Sequence, residues 1–158
     1  MKNLNIRKTQ VTDLSFVLEM INQLALYEKA PEAVIIDEAQ LKADYAAGLF
    51  ESLILEVDSQ KVGMALFYFR YSTWKGKNLF LEDLFVLPEH RGLGLGKKVM
   101  QYLAGYALEQ KCGRFEWQVL DWNKPSIEFY KTLGADIDPE WMNCRLEGEG
   151  IKKLASRL

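Results

Sequence analysis

The stretch LFLEDLFVLPEHRGLGLGKKVMQYLAGYAL, residues 79–108, runs from an apolar strand with two carboxylates through a glycine-spaced basic turn into an amphipathic helix. Gly92, Gly94 and Gly96 remove side chains where backbone N–H groups would approach an anion, and the start of the following helix favours negative charge. Arg91, Lys97 and Lys98 add mobile positive charge around that point. Spacing sorts the phosphate motifs. A Walker loop needs four residues between its glycine and a Gly-Lys pair, then Ser or Thr. Gly92 and Gly96 enclose three, and Lys98 follows Lys97. A dinucleotide fingerprint needs G-x-G-x-x-G, and these glycines strictly alternate. A turn that merely caps a helix is the bland alternative.

The rest of the chain supplies a sheet for this unit. LNIRKTQ alternates like a strand, Thr12 and Asp13 provide a cap, and LSFVLEMINQLALYEK has helical spacing. A second helix is expected over DEAQLKADYAAGL, closed by Gly48. SLILEVD and VGMALFYFRYS read as strands joined by a Ser59–Lys61 turn, and NLFLEDLFV as a third. After the helix from about Gly92 to Glu109 come strand RFEWQVL, a helix over IEFYKTLG opened by Asn123-Lys124-Pro125-Ser126, a strand near WMNCRLEG and a short basic helix, IKKLASRL. The order predicts an α/β (α+β) fold, with a mixed sheet flanked by helices and the glycine turn at the carboxyl end of its strand. At 158 residues, with no repeat or linker, one domain over 1–158 is expected.

Composition narrows the partners. Twenty basic and 22 acidic residues give a net charge of -2 with no long basic run, which disfavours nucleic acid. Cys112 and Cys144 lack metal-ligand spacing, and one histidine, His90, cannot build a His-rich metal site, so no metal is expected. No nucleophile elbow accompanies His90, which argues against a Ser-His-Asp hydrolase. The start MKNLNIRKT has no signal-peptide core and no apolar run reaches membrane-spanning length, so a cytoplasmic chain without membrane association is expected.

Glu82 and Asp83 interrupt an apolar strand. Successive strand side chains face opposite sides, so at most one is expected to point into a given cavity. Each needs a cation, donors or a water-filled cleft. For Asp83 a salt bridge and a functional role are equally open.

Arg91-Gly92-Leu93-Gly94-Leu95-Gly96 resembles the R-G-x-G-x-G/A turn with which the GNAT acetyltransferase superfamily grips the pyrophosphate of coenzyme A. Asn123 to Tyr130 resembles that superfamily's N-x-x-(S/A)-x-x-(F/L)-Y element. The segments LALYEK, FYFRYSTWKGKNLFLEDLFVLPEHRGLGLGKK and LDWNKPSIEFYKTLGA are similar to the diamine acetyltransferase family, the spermidine/spermine group with its thialysine relatives. The resemblance implies a GNAT-like, mostly antiparallel sheet, acetyl-CoA as acetyl donor, and direct transfer to a primary amine of a small molecule in a ternary complex. It also implies a homodimer.

By the same resemblance, the backbone at Leu84, Phe85 and Val86, the turn Arg91, Gly92, Leu93, Gly94, Leu95, Gly96 and Lys97, and Asn123, Lys124, Pro125 and Ser126 hold the cofactor. Tyr27, Glu28, Trp74, Glu82 and Asp83 take the amine, with Glu82 as general base and Tyr130 as the acid that protonates sulfur. Each role has a chemical reason. An alkyl amine with a pKa near ~10.4 costs roughly 4–5 kcal/mol to deprotonate at neutral pH, so a carboxylate must take its proton, directly or through water. The departing thiolate then needs a proton, which a tyrosine hydroxyl can give.

The polyamine-selective branch has an acidic residue two positions before the channel tryptophan, whereas this chain has Ser72-Thr73-Trp74. Loss of that carboxylate disfavours long polycations and points to lysine-like amines or short diamines. Acetylation of a protein or peptide amine, and a nonenzymatic acyl-CoA-binding module, are the competing readings.

Overall fold

The computed structural model describes residues 2–156. The chain divides into two compact units, the first ending at Gln118 and the second starting at Val119.

The first unit is built on a five-stranded sheet in sequence order: β1 (Leu4–Lys8), β2 (Glu51–Val57), β3 (Gln60–Ser72), β4 (Gly76–Val86) and β5 (Arg114–Trp117). Neighbours from β1 to β4 are antiparallel and β5 joins β4 in parallel, which is the mixed, mostly antiparallel α/β arrangement expected. β3 is buried without a break from Val62 to Phe67, as it must be when helices cover both faces. On one face α1 (Leu14–Tyr27) and α2 (Glu38–Ala46) pack Leu14, Val17, Met20 and Leu41 against Ile54, Met64, Leu66 and Phe85. The three-residue spacing in α1 makes that stripe. Phe67, one residue on, faces the opposite side, where the Tyr106 ring of α3 (Leu95–Glu109) meets it edge-on with centroids 5.8 Å apart.

Asp13 does not cap α1 with its side chain. It is 2% exposed and accepts hydrogen bonds from Arg7 (2.7 and 3.1 Å) and the Gln10 N–H (2.9 Å), with Lys61 Nζ at 2.7 Å. These donors tie β1 and the start of β3 to the entry of α1. The Arg7 hydrogen bonds hold the Asp13 carboxyl well below the usual carboxylate range, offsetting its burial.

Several boundaries differ from expectation for local reasons. The β2–β3 turn is the pair Asp58–Ser59, at φ 50° and 66°, a two-residue loop suited to the strand twist. α3 starts at Leu95 because Gly92 and Gly94, at φ 76° and 85°, cannot continue a right-handed helix. β5 stops at Trp117, opposite Leu81, where β4 leaves regular pairing.

The second unit contains α4 (Lys124–Thr132) and α5 (Glu149–Ala155). The Asn123 side chain accepts from the Ser126 N–H at the start of α4, and Gly134 at φ 82° ends it. The strand expected near Trp141 does not form among the described residues. Its alternation is present, but pairing makes a strand, and Trp141 and Met142 are 78% and 86% exposed. The expected end of the last helix, Arg157 and Leu158, lies outside the described residues.

Candidate active site

A bulge in β4 organises the acidic residues. Leu66 pairs with Asp83 and Phe67 with Leu81, so Glu82 is an extra residue with no partner on β3. The bulge breaks the alternation that would have sent Glu82 and Asp83 to opposite faces, and the expectation that only one could serve a cavity is corrected. Both carboxylates join an electrostatic cluster with Glu28, which caps the C-terminal end of α1. Burial first, then the charges of Glu82 and Glu28, pushes the Asp83 carboxyl up to about 7. Burial, then Glu82, also raises Glu28. Among the described residues no cation pairs with Asp83 in the way Arg7 and Lys61 serve Asp13, so of its two readings the ion pair loses ground.

Tyr68 was not anticipated. Its hydroxyl donates to Glu82 Oε2 at 2.8 Å and is pushed up to about 12 by burial, then by that hydrogen bond. The signal was present in the hairpin register. Once Ser72 faces Gly76, Tyr68 faces Phe80 and becomes the diagonal neighbour of Glu82.

Trp74 lies elsewhere, at the tip of the β3–β4 hairpin and 79% exposed. Glu82 lies six positions beyond Gly76 on β4, about 20 Å at strand rise, so this chain does not bring Trp74 to its own carboxylates. Ser72 has a local role there, its Oγ accepting from the N–H groups of Trp74 and Lys75 at 3.2 and 3.1 Å.

Beyond the bulge β4 continues through Leu84, Phe85 and Val86, whereas β5 pairs only as far as Leu81. Within the sheet, the β5-side edge of those three residues is therefore unpaired and, apart from the Val86 carbonyl, which Arg91 takes, available to an extended amide-bearing ligand. Next comes the glycine turn. A Cβ built on Gly92 or Gly94 meets nothing within 4 Å, so the turn opens onto free space. Gly94 caps α3 without a side chain, while Leu95, Gly96 and Lys97 form the first helical turn, whose N–H groups have no partners within the helix. This open cradle fits a pyrophosphate. Arg91 is less mobile than expected. Its Nε donates to the Val86 carbonyl at 2.9 Å, and its guanidinium lies 5.3 Å from the Tyr27 ring and 5.4 Å from the Phe85 ring. It thus braces the turn against the end of β4 and brings Tyr27 beside it.

In the second unit, Asn123, Lys124, Pro125 and Ser126 open α4, and Tyr130 follows on the same helix with its ring 5.3 Å from that of Phe129.

A strand edge, a carboxylate-bearing bulge and an anion cradle on successive stretches of chain are what an enzyme needs to align an acyl thioester with an amine. The acetyltransferase (GNAT) family model matches residues 17–135, and the chain belongs to that family. It is an N-acetyltransferase, and acetyl-CoA is the acyl donor the family uses. The thialysine N-epsilon-acetyltransferase of Sus scrofa is 41% identical, covering 99% of this chain and 100% of that one. Among solved structures, an integron cassette protein from V. cholerae is 26% identical with a TM-score of 0.75, covering 96% of this chain and 97% of its own. An aminoglycoside N-acetyltransferase solved in complex with CoA shares the fold at a TM-score of 0.75 and 20% identity, with coverage of 94% and 97%.

Proposed function

We propose that this enzyme transfers the acetyl group of acetyl-CoA to a primary amine of a small molecule, a lysine or thialysine type of amine or a short diamine, by direct attack in a ternary complex. The observation that carries the reading is the joining of Glu28, Glu82 and Asp83 into one acidic cluster on the bulge of the strand that runs through Leu84–Val86 to the open glycine turn. Such a cluster concentrates a small cationic amine, whereas a peptide backbone needs an open groove. Relatives at full coverage include thialysine N-epsilon-acetyltransferases, which accords with this choice.

Bound acetyl-CoA supplies the activated acetyl group and a thiolate leaving group. Leu84 to Val86 offer main-chain groups to its arm and Arg91 to Lys97 offer N–H groups and charge to its pyrophosphate, and the family resemblance assigns Asn123 to Ser126 to its binding as well. Glu82 accepts the amine proton at Oε1 or Oε2, directly or through water, with Tyr68 fixing the carboxylate. Asp83, Glu28 and Tyr27 attract and line the amine, and Trp74, at its hairpin tip, joins the lining only from a second copy of the chain. Tyr130 gives the proton of its hydroxyl to sulfur. The family match spans 17–135, across the division at Gln118, which supports reading the chain as one functional domain.

No helix among the described residues is long and apolar enough to cross a membrane. We place the enzyme in the cytoplasm, in keeping with its two free cysteines, and assign it a homodimer.

A thiol-release assay across thialysine, lysine, short diamines, spermidine and an N-terminal peptide tests the reading. Release with small amines is expected, and reaction of the peptide alone would overturn it. Saturating acetyl-CoA should raise Tm, and an unchanged Tm would exclude the cofactor assignment. Tyr130→Phe should lower kcat at least tenfold while changing acetyl-CoA affinity little. Unchanged turnover would remove the acid role.

A further inference from the structure

We infer that Tyr68 is a positioning residue that sorts protons in the acidic cluster: its hydroxyl, donated to Glu82, keeps that carboxylate ionised as the base and leaves Asp83 to hold the cluster's proton. The inference rests on the reading of Glu82 as base and adds what selects it from three neighbouring carboxylates.

Carboxylates that repel one another resist ionising together, so some feature of the site must decide which of them stays charged. The charged and titratable groups in range are Glu28 at the end of α1, Glu82 and Asp83 at the bulge of β4, and Tyr68 and Arg70 on β3. Of the three carboxylates, Glu82 receives the Tyr68 hydroxyl, at 2.8 Å on Oε2. Burial and neighbouring charge act on Asp83 and Glu28 with no donor among the described residues to offset them. A donor favours the charged form of the group it serves, which gives Glu82 an advantage its neighbours lack. Exposure works in the same direction. Glu82 is exposed, whereas Asp83 is part-buried and its carboxyl is pushed up to about 7. Two adjacent acids in environments this different divide into a base and a proton holder.

The fold fixes the donor in place. Tyr68 faces Phe80 across the β3–β4 ladder with ring centroids 5.4 Å apart, and Phe80 is 5% exposed. The bulge leaves Glu82 without a partner on β3, and the Tyr68 hydroxyl supplies the cross-strand contact that the ladder does not. Tyr68 also keeps its own proton. Its hydroxyl is pushed up to about 12, by burial and then by the bond to Glu82, so at neutral pH it donates and does not compete for the amine proton. With Oε2 held by Tyr68, Oε1 is the oxygen open to that proton, directly or through water.

The test is the pH dependence of kcat/KM for the small amine turned over fastest in the thiol-release screen above. It compares wild type, Tyr68→Phe, Asp83→Asn and the double variant. Tyr68→Phe removes one hydroxyl and leaves the ring against Phe80, and a melting curve checks that it folds. It should lower kcat/KM about fivefold at pH 6 and less than about twofold at pH 9, where all three carboxylates are ionised in either enzyme. In the Asp83→Asn background the same substitution should lose less than about twofold at pH 6, because the competing charge is gone. No loss at pH 6, a loss equal at both pH values, or one that Asp83→Asn leaves unchanged would show that Tyr68 only packs beside Glu82 and would overturn the inference. Glu82→Gln tests the base reading separately. It should lower kcat by about a hundredfold or more, and full activity would remove Glu82 as base and this inference with it.

Discussion

Asp83 links stability and activity through one ionisation. Its carboxyl titrates near 7 in the fold against 3.8 for the ordinary group, because burial and the charges of Glu82 and Glu28 oppose ionisation. Between those values the folded state binds more protons than the unfolded state, so stability falls as pH rises from about 4 through 7. Asp83→Asn removes the repulsion and should raise Tm at pH 8 while changing it little at pH 4. With water screening at a part-buried site, about 1–2 kcal/mol is expected, seen as about 2–8 °C in a melting curve at the two pH values. The same charge attracts the substrate ammonium, so KM for the amine should drop as pH rises through 7 in wild type and lose that step in Asp83→Asn. An unchanged Tm difference between the two pH values would show that Asp83 is not the strained group.

At the scale of elements, the glycine turn serves two purposes that substitution can separate. Gly94 at φ 85° cannot become alanine without backbone strain, and its new Cβ would enter the space in front of the first N–H groups of α3. Gly48 at φ 72°, after α2, carries the same strain and also faces open space, remote in sequence from the turn. Gly94→Ala and Gly48→Ala should each cost about 1 kcal/mol of stability, but only Gly94→Ala should weaken acetyl-CoA by about tenfold, measured by titration calorimetry. Equal affinity in both variants would mean that the turn only caps a helix. The turn and the strand before it were legible in the sequence because their signals are local: a glycine spacing, an apolar run and a helical stripe. The bulge at Glu82 was not, since it exists only relative to β3, and with it went the grouping of Glu82 with Asp83, while the partnership with Tyr68 needed the register of the β3–β4 hairpin. The end of β5 at Trp117 was missed for the same reason, as strand length is set by the neighbour.

For the whole molecule the open matter is what covers the apolar surface of the second unit. Trp141, Met142 and Leu146 are 78%, 86% and 53% exposed in a segment whose alternating pattern predicts a strand but which forms none. Sequence carries the propensity, and the partner that would realise it is not local. A second copy of the chain is the economical cover, because a homodimer buries the same patch twice under one symmetry operation. Sedimentation should give twice the chain mass at micromolar concentration, and Trp141→Asp with Met142→Ser should shift it to the monomer by desolvating a carboxylate against an apolar partner. A wild-type chain that sediments as a monomer at every concentration would refute the dimer. If instead the wild type dimerises and the double variant does too, the interface lies elsewhere on the molecule. Turnover measured on the monomeric variant adds a second reading. Trp74 sits at a hairpin tip about 20 Å along the strand from the carboxylates of its own chain, so a fall in activity on dissociation would show that the site draws on the partner for its lining.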